Sequence, residues 1–405
     1  MSRKHKDWLK AYLEYSSYSE AQPHMRFWCG VSAVAGALRR KVWIDQFYFK
    51  WHPNFYIVLV APPGVVAKST TVSVAINLLR KVEGIKFGPD VVTWPALVEG
   101  FAGAAEAFDY AGAYHTMCAM TLESSEFGNL LDPQDRAMVD LYVSLWDGKQ
   151  GSFKKETKTA GNDEVINPWI NMIACTTPAW IAGSFPEYMI GGGFTSRCIF
   201  VYAEEKSQLI ANPGRTVPKG LEKFGDSLVE DLAEIALLTG EYKMTDEAYQ
   251  WTEAWYERHN KNPNPLLNDS RFGGYLARKQ THLYKTAMII AAAKSAHMWL
   301  EPEHFAIAEA MLNDLEPDMV KVFSKIGMSE DAVNMERLLI FIRRNGPIGW
   351  ETAWQHVATN FPRLKNYEDV LAGLLKGKLI QMTQGADGKI YLTAPPPVVR
   401  SPNAR

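Results

Sequence analysis

Cysteine and net charge are both scarce in this chain of 405 residues. Its four cysteines (Cys29, Cys118, Cys175 and Cys198) lie far apart inside apolar segments. They lack metal-ligand spacing and read as buried free thiols, which suits a reducing cytosol. A formal net charge of −2 leaves no uniformly basic coat, so any contact with nucleic acid has to come from local patches. No apolar run reaches membrane-spanning length, and no signal-type apolar core follows the charged start Met1-Ser-Arg-Lys-His-Lys-Asp. The remaining composition, 47% hydrophobic and 22% charged, is ordinary for a globular chain long enough for two or three domains. The expectation is a soluble, cytoplasmic protein with no membrane partner.

The most informative shortage is local. Pro62-Pro63-Gly64-Val65-Val66-Ala67-Lys68-Ser69-Thr70 is nearly the phosphate-binding pattern G-x-x-x-x-G-K-[ST], but Pro62 and Ala67 occupy the places of its two glycines. The context fits the pattern: residues 55–60 read as a buried strand and residues 71–79 as a helix. Such a loop aims successive backbone N–H groups at phosphates while a lysine reaches the β/γ oxygens and a hydroxyl holds Mg²⁺. Lys68 and Ser69 have the side chains for those roles, and Gly64 can supply a positive-φ bend. Ala67 adds a methyl group that a helical backbone accommodates.

Three later segments carry complementary chemistry. The apolar stretch 117–122 ends in Glu123-Ser-Ser-Glu126, and carboxylates ending a strand adjacent to the loop-bearing one can hold Mg²⁺ and polarise water. Glu126 is the first candidate base; Glu123 is the second and a candidate metal ligand. Stretch 169–175 ends in Thr176 and Thr177, either of which suits sensing a γ-phosphate. Gly191-Gly-Gly-Phe-Thr-Ser-Arg197 precedes a fourth apolar stretch, 198–202, and presents an arginine suited to transition-state charge, supplied in trans in ring-shaped ATPases.

In this order, the segments at 61–70, 125–131, 176–180 and 192–197 resemble the ATPase parts of phage- and plasmid-encoded replication helicases, P-loop ATPases near the superfamily 3 and AAA+ groups. The resemblance spans roughly residues 25 to 310 and departs from the pattern at Pro62, Ala67, Ser125 and Thr176. It implies an α/β P-loop core of AAA+ or RecA-like type, ATP and Mg²⁺ as cofactors, DNA as partner, and a homo-oligomeric ring such as a hexamer. It also implies that a hairpin over 151–166 grips a strand through Lys154, Lys155 and Lys158. The expected activity is that of a DNA-acting replication motor or helicase. The alternative is a non-hydrolysing DNA-binding initiator or loader that retains an altered loop.

Along the chain we expect a helical lead (1–50), the ATPase core (51–205), a helical lid region (206–328), a winged helix-turn-helix (329–394) and a disordered tail (395–405). In the lid region Arg278, His282 and Lys285 share one helix face, expected to be solvated, with Arg278 a candidate second phosphate sensor. The winged-helix reading rests on helices near 335–344, 349–359 and 366–376, followed by a hairpin over 379–393. Residues 331–393 carry eight basic and six acidic side chains, and Lys365, Lys376 and Lys378 are the candidate DNA contacts.

Overall fold

The run Tyr-Ile-Val-Leu-Val at Tyr56–Val60 offers neither face to water, and it forms the buried centre (β1) of a five-stranded sheet. The computed structural model describes residues 3–148, 152–157, 161–191, 193–323, 330–358 and 363–395. The other strands of this sheet are β2 (Ala105–Tyr110), β3 (Ala113–Ser124), β4 (Pro168–Thr176) and β5 (Cys198–Tyr202). They lie in the spatial order β2-β3-β4-β1-β5, parallel except for the antiparallel edge strand β2.

Two features differ from the sequence reading. Strand β3, which leads to Glu123 and Glu126, is not adjacent to β1, because β4 lies between them. All nine residues of β4 are buried, so it takes a doubly covered interior place, whereas β3 begins with exposed residues and extends to the edge. The edge strand β2 itself was not anticipated, because Glu106 and Asp109 interrupt its apolar pattern. It joins β3 through Ala111 and Gly112, both at positive φ (55° and 77°), a two-residue turn whose twist suits a hairpin.

Alternation along the strands sends Ile57, Leu59, Cys175 and Val201 into one core and Tyr56, Val58, Met172 and Phe200 into the other. The first face is covered by α1 (Trp8–Tyr15), α2 (Pro23–Leu38) and α3 (Lys68–Arg80), and the second by α4 (Trp94–Gly103) and α5 (Arg136–Trp146). Helices α6 (Leu221–Ala236), α7 (Gly273–Lys294) and α8 (Pro302–Phe323) add to the same cores. Residues read separately as lead, core and lid therefore pack in one compact unit, Met1–Ile326. Asn171 of β4 ties the layers together, accepting from Phe55 N–H at 3.3 Å and donating to the Ser32 carbonyl in α2 at 3.1 Å. Outside the sheet, Val42–Asp45 pairs antiparallel with Lys50–Trp51.

The second unit, Gly327–Arg405, has its own core of Leu338, Ile342, Tyr367, Leu371, Leu374 and Leu392. Its helices are α9 (Glu330–Asn345), α10 (Trp350–Val357) and α11 (Leu364–Lys376). Ile390–Thr393 pairs antiparallel with both Gln381–Gln384 and the short strand Ile348–Gly349. Residues 396–405 of the expected tail lie outside the described residues. Among the described residues, no helix is long and apolar enough to cross a membrane.

Helix α3 carries the loop's lysine, and its seat depends on Gly36 of α2, where an added Cβ would collide with the buried Leu79 side chain. Gly36→Ala is expected to lower stability in urea unfolding by about 1–3 kcal/mol. Adding Leu79→Val should recover part of that loss, and strictly additive losses would show that this contact does not seat α3.

Candidate functional site

Val60 is level with Thr176 and Tyr202 in the sheet, so the segment after β1 emerges at the C-terminal edge of the parallel strands. Gly64 turns the chain there with φ of 70°, and no atom lies within 4 Å of where a Cβ would stand. Glycine is needed at this position for its backbone conformation, not for space. Val66, nearly fully buried, anchors the loop in the core below it.

Ala67 is not helical. Its φ of −75° and ψ of 64°, with Lys68 N–H donating to the Val66 carbonyl at 2.8 Å, form an inverse γ-turn. Alanine adopts that conformation without strain, so the loop keeps glycine only where φ is positive. The same turn directs the Lys68 amide inward, away from any ligand at the loop. Helix α3 starts directly after it without a side-chain cap, leaving first-turn amides at Ser69 and Thr70 for an anion. Ser69 and Thr70 are exposed, and the Lys68 ammonium donates back to the Ala61 carbonyl at 2.9 Å.

Several of the other expected residues surround this loop. Cys175, the penultimate residue of β4, reports on them. Burial pushes its thiol up to about 12, with Lys68 opposing and Glu126 and Glu123 adding. Glu126 is exposed on a turn in which the Ser124 hydroxyl both donates to its carbonyl (2.8 Å) and accepts from its N–H (3.2 Å). Glu123 is spent differently from expectation: Arg80, from the last turn of α3, holds it at 3.0 Å, so its carboxylate is poorly placed to serve a metal ion. Nothing in the sequence marked Arg80, which meets Glu123 only through the packing of α3 on the sheet. The two threonines also separate. Thr177 accepts from Trp180 N–H at 3.1 Å as the cap of the short helix Pro178–Ser184. Thr176 is buried, and its carbonyl accepts from Ala61 N–H at 3.3 Å beside the loop. Among the described residues, no three His, Cys, Asp or Glu side chains converge as a metal cage.

Arg197 stands elsewhere. It precedes Cys198, which is level with Tyr56, so it lies at the sheet edge opposite the loop. Its guanidinium is 5% exposed and binds Asp147 through two bonds of 2.9 and 2.7 Å, with a third to the Gly193 carbonyl at 2.7 Å. A group so engaged is not presented to a neighbouring subunit. Asp147, at the end of α5, carries no local signal that would pair it with Arg197 from sequence.

On the helix face expected to be solvated, His282 and Lys285 are buried and Arg278 is half-buried. Lys279 pairs with Glu316 at 2.5 Å, and the Lys285 ammonium binds the Asn54 side chain at 2.8 Å and lies 3.5 Å from the centre of the Trp146 ring. His282 meets the Ser196 carbonyl through Nε2 at 2.9 Å. Arg278 shares a small cavity with Asn54 and Asp147 at this far edge, away from the loop whose phosphates it was expected to sense.

The hairpin at Ser152–Thr157 and Gly161–Ile166 is present, and its register sets Lys154 opposite Glu164 and Lys155 opposite Asp163. Lys158 lies outside the described residues. In the second unit Lys365, Lys376 and Lys378 are exposed, and so are Glu368 and Asp369 on α11. A scan against protein-family models gives no match to this chain, and a search of curated proteins gives none either.

Two outcomes are expected. Gly64→Val should lower stability by about 1–2 kcal/mol in urea unfolding, and Gly64→Asn by less than about half as much, because asparagine tolerates positive φ. Equal losses would show that space, not φ, selects glycine there. The second concerns pH. Burial pushes His282 down to about 3, the bond to Ser196 opposing and the cations Lys285, Arg278 and Arg197 adding. The unfolded ring protonates near its ordinary value of about 6.5, so this contribution is complete above that pH and is lost as pH falls toward about 3. Between pH 7 and 5 the loss should reach about 2 kcal/mol, and the unfolding midpoint of His282→Gln should fall less steeply over that range. Buried His52, also pushed down, leaves a residual slope in both proteins.

Proposed function

We propose that Met1–Ile326 is a P-loop ATPase unit of AAA+ or RecA-like kind, and that the chain acts on DNA as a nucleotide-driven replication motor. One observation carries this reading: the Lys68 loop, the Glu126 turn and Thr176 follow or end three separate strands at the C-terminal edge of their parallel array, where an uncapped helix starts. In that arrangement ATP takes its phosphates to Lys68 and the amides of Ser69 and Thr70. Glu126 is the exposed carboxylate available to orient water, and Thr176, whose carbonyl accepts from Ala61 N–H, is the hydroxyl residue beside the loop. Magnesium, when bound, neutralises phosphate charge, and Ser69 is the residue that would hold it; Glu123, paired with Arg80, instead fixes α3 to β3. Arg197 is a positioning residue for the far edge. Ring assembly comes from the motif resemblance alone. We read the second unit as a winged helix that contacts DNA through Lys365, Lys376 and Lys378, with Lys154 and Lys155 of the hairpin as further contacts.

A specific observation favours a second reading. Lys68 directs its amide to Val66 and one of its three ammonium hydrogens to Ala61, so its side chain is folded back on its own loop. A loop that keeps this form holds nucleotide without turning it over, as an initiator or loader would.

Binding of a fluorescent ATP analogue and phosphate release, each measured with and without single-stranded DNA, separate the two. The motor reading expects DNA-stimulated release by the wild type and at least about tenfold weaker nucleotide binding by Lys68→Ala. Binding without release selects the second reading, and no binding by the wild type overturns both.

A further inference from the structure

At the sheet edge opposite the loop, a cavity of about 380 Å³ takes no part in the nucleotide reading. Trp43, Phe108, Tyr110 and His115 line it with Arg40 and Lys50, and the Lys50 ammonium pairs with Asp45 at 3.1 Å. The rings are ordered against one another: Trp43 meets Tyr110 edge-on at 4.9 Å, and Phe108 stacks on His115 at 5.6 Å. Arg40 is held by the carbonyls of Pro168 (2.8 Å) and Gly148 (3.0 Å), so its charge is fixed in the wall. A second cavity of about 120 Å³ shares Lys50 and His52 with the first and adds Arg278 and Lys285. Its one carboxylate, Asp147, already binds Arg197 through both oxygens. Aromatic side chains also project from the turn that precedes Lys50 in the chain. Phe47 is 87% exposed and Tyr48 89%.

We propose that this edge binds single-stranded nucleic acid, with one base in the ring-lined cavity, backbone phosphates toward Lys50 and Arg278, and flanking bases on Phe47 and Tyr48. Planar rings beside cations suit a flat base joined to an anion, and sequence-tolerant stacking is how single strands are held. A duplex keeps its bases stacked inside and offers none to the cavity. A free mononucleotide would leave the projecting rings unused. The site shares no residue with the lysines assigned to the hairpin and the second unit. It rests on the DNA-acting reading only for the class of polymer and needs no nucleotide at the loop.

The test uses the full chain and a labelled oligo-dT strand, followed by fluorescence anisotropy across a salt series. Phe47→Ala/Tyr48→Ala removes two exposed rings that the fold does not need and should weaken binding roughly tenfold. Lys50→Gln should lower the slope of log affinity against log salt by about 0.7. A strand carrying 5-iodouracil should crosslink within residues 43–50 or 108–115. Wild-type affinity and salt slope in these variants, crosslinks confined to 152–166 or 330–395, or competition by thymidine monophosphate as strong as by the oligonucleotide would each overturn the proposal. ATP binding is titrated in the same samples. Its absence in the wild type fails the loop reading, whereas unchanged oligonucleotide binding by the variants fails this one.

Discussion

Strand β1 is hydrogen-bonded on both edges and buried on both faces, and the position of every candidate group follows from that constraint. Its parallel pairing with β4 and β5 brings the loop after Val60 and the strand end at Thr176 to one edge. The same register sends Arg197 to the other edge, one strand length or about 16 Å away. Residues that a motif order would gather into one site are thereby divided between two. The loop edge is open and holds exposed hydroxyls and carboxylates. The far edge is walled with aromatic rings and buried cations.

The loop shows how a motif can lose its glycines and keep its path. Positive φ is confined to Gly64, and the inverse γ-turn at Ala67 brings the chain into α3 with an ordinary negative φ. Val66 holds the turn down by burial, a role that backbone flexibility would weaken. The cost falls on donors: Lys68 spends its amide on Val66 and one of its three ammonium hydrogens on Ala61. Ligand phosphates therefore meet a side chain drawn back along its own loop.

Burial of charge at the far edge is local and specific. Lys279, Lys285 and Arg197 leave water because Glu316, Asn54 and Asp147 arrive from other parts of the chain to receive them. Removing one partner from such a pair strands the other, which makes these contacts determinants of where α7 sits more than sources of net stability. A basic helical face with 3–4 spacing reads as solvated in sequence, since nothing local announces an acceptor 37 or 231 residues away.

The sequence by itself made legible four of the five strands of the central sheet. Apolar runs at 55–60, 117–122, 169–175 and 198–202 each became part of the sheet, because burial on both faces leaves an uninterrupted apolar signature. It also located the loop, the acidic strand end, the threonines and, at 330–393, three helices followed by a hairpin. Tertiary structure alone decided which strand lies beside β1, that Ala67 needs no glycine, and that Glu123 belongs to Arg80 and Arg197 to Asp147. The difference is physical. Periodicity and turn chemistry act over a few residues and are written in composition, whereas pairing order and ion-pair choice depend on surfaces that exist only once distant segments have packed.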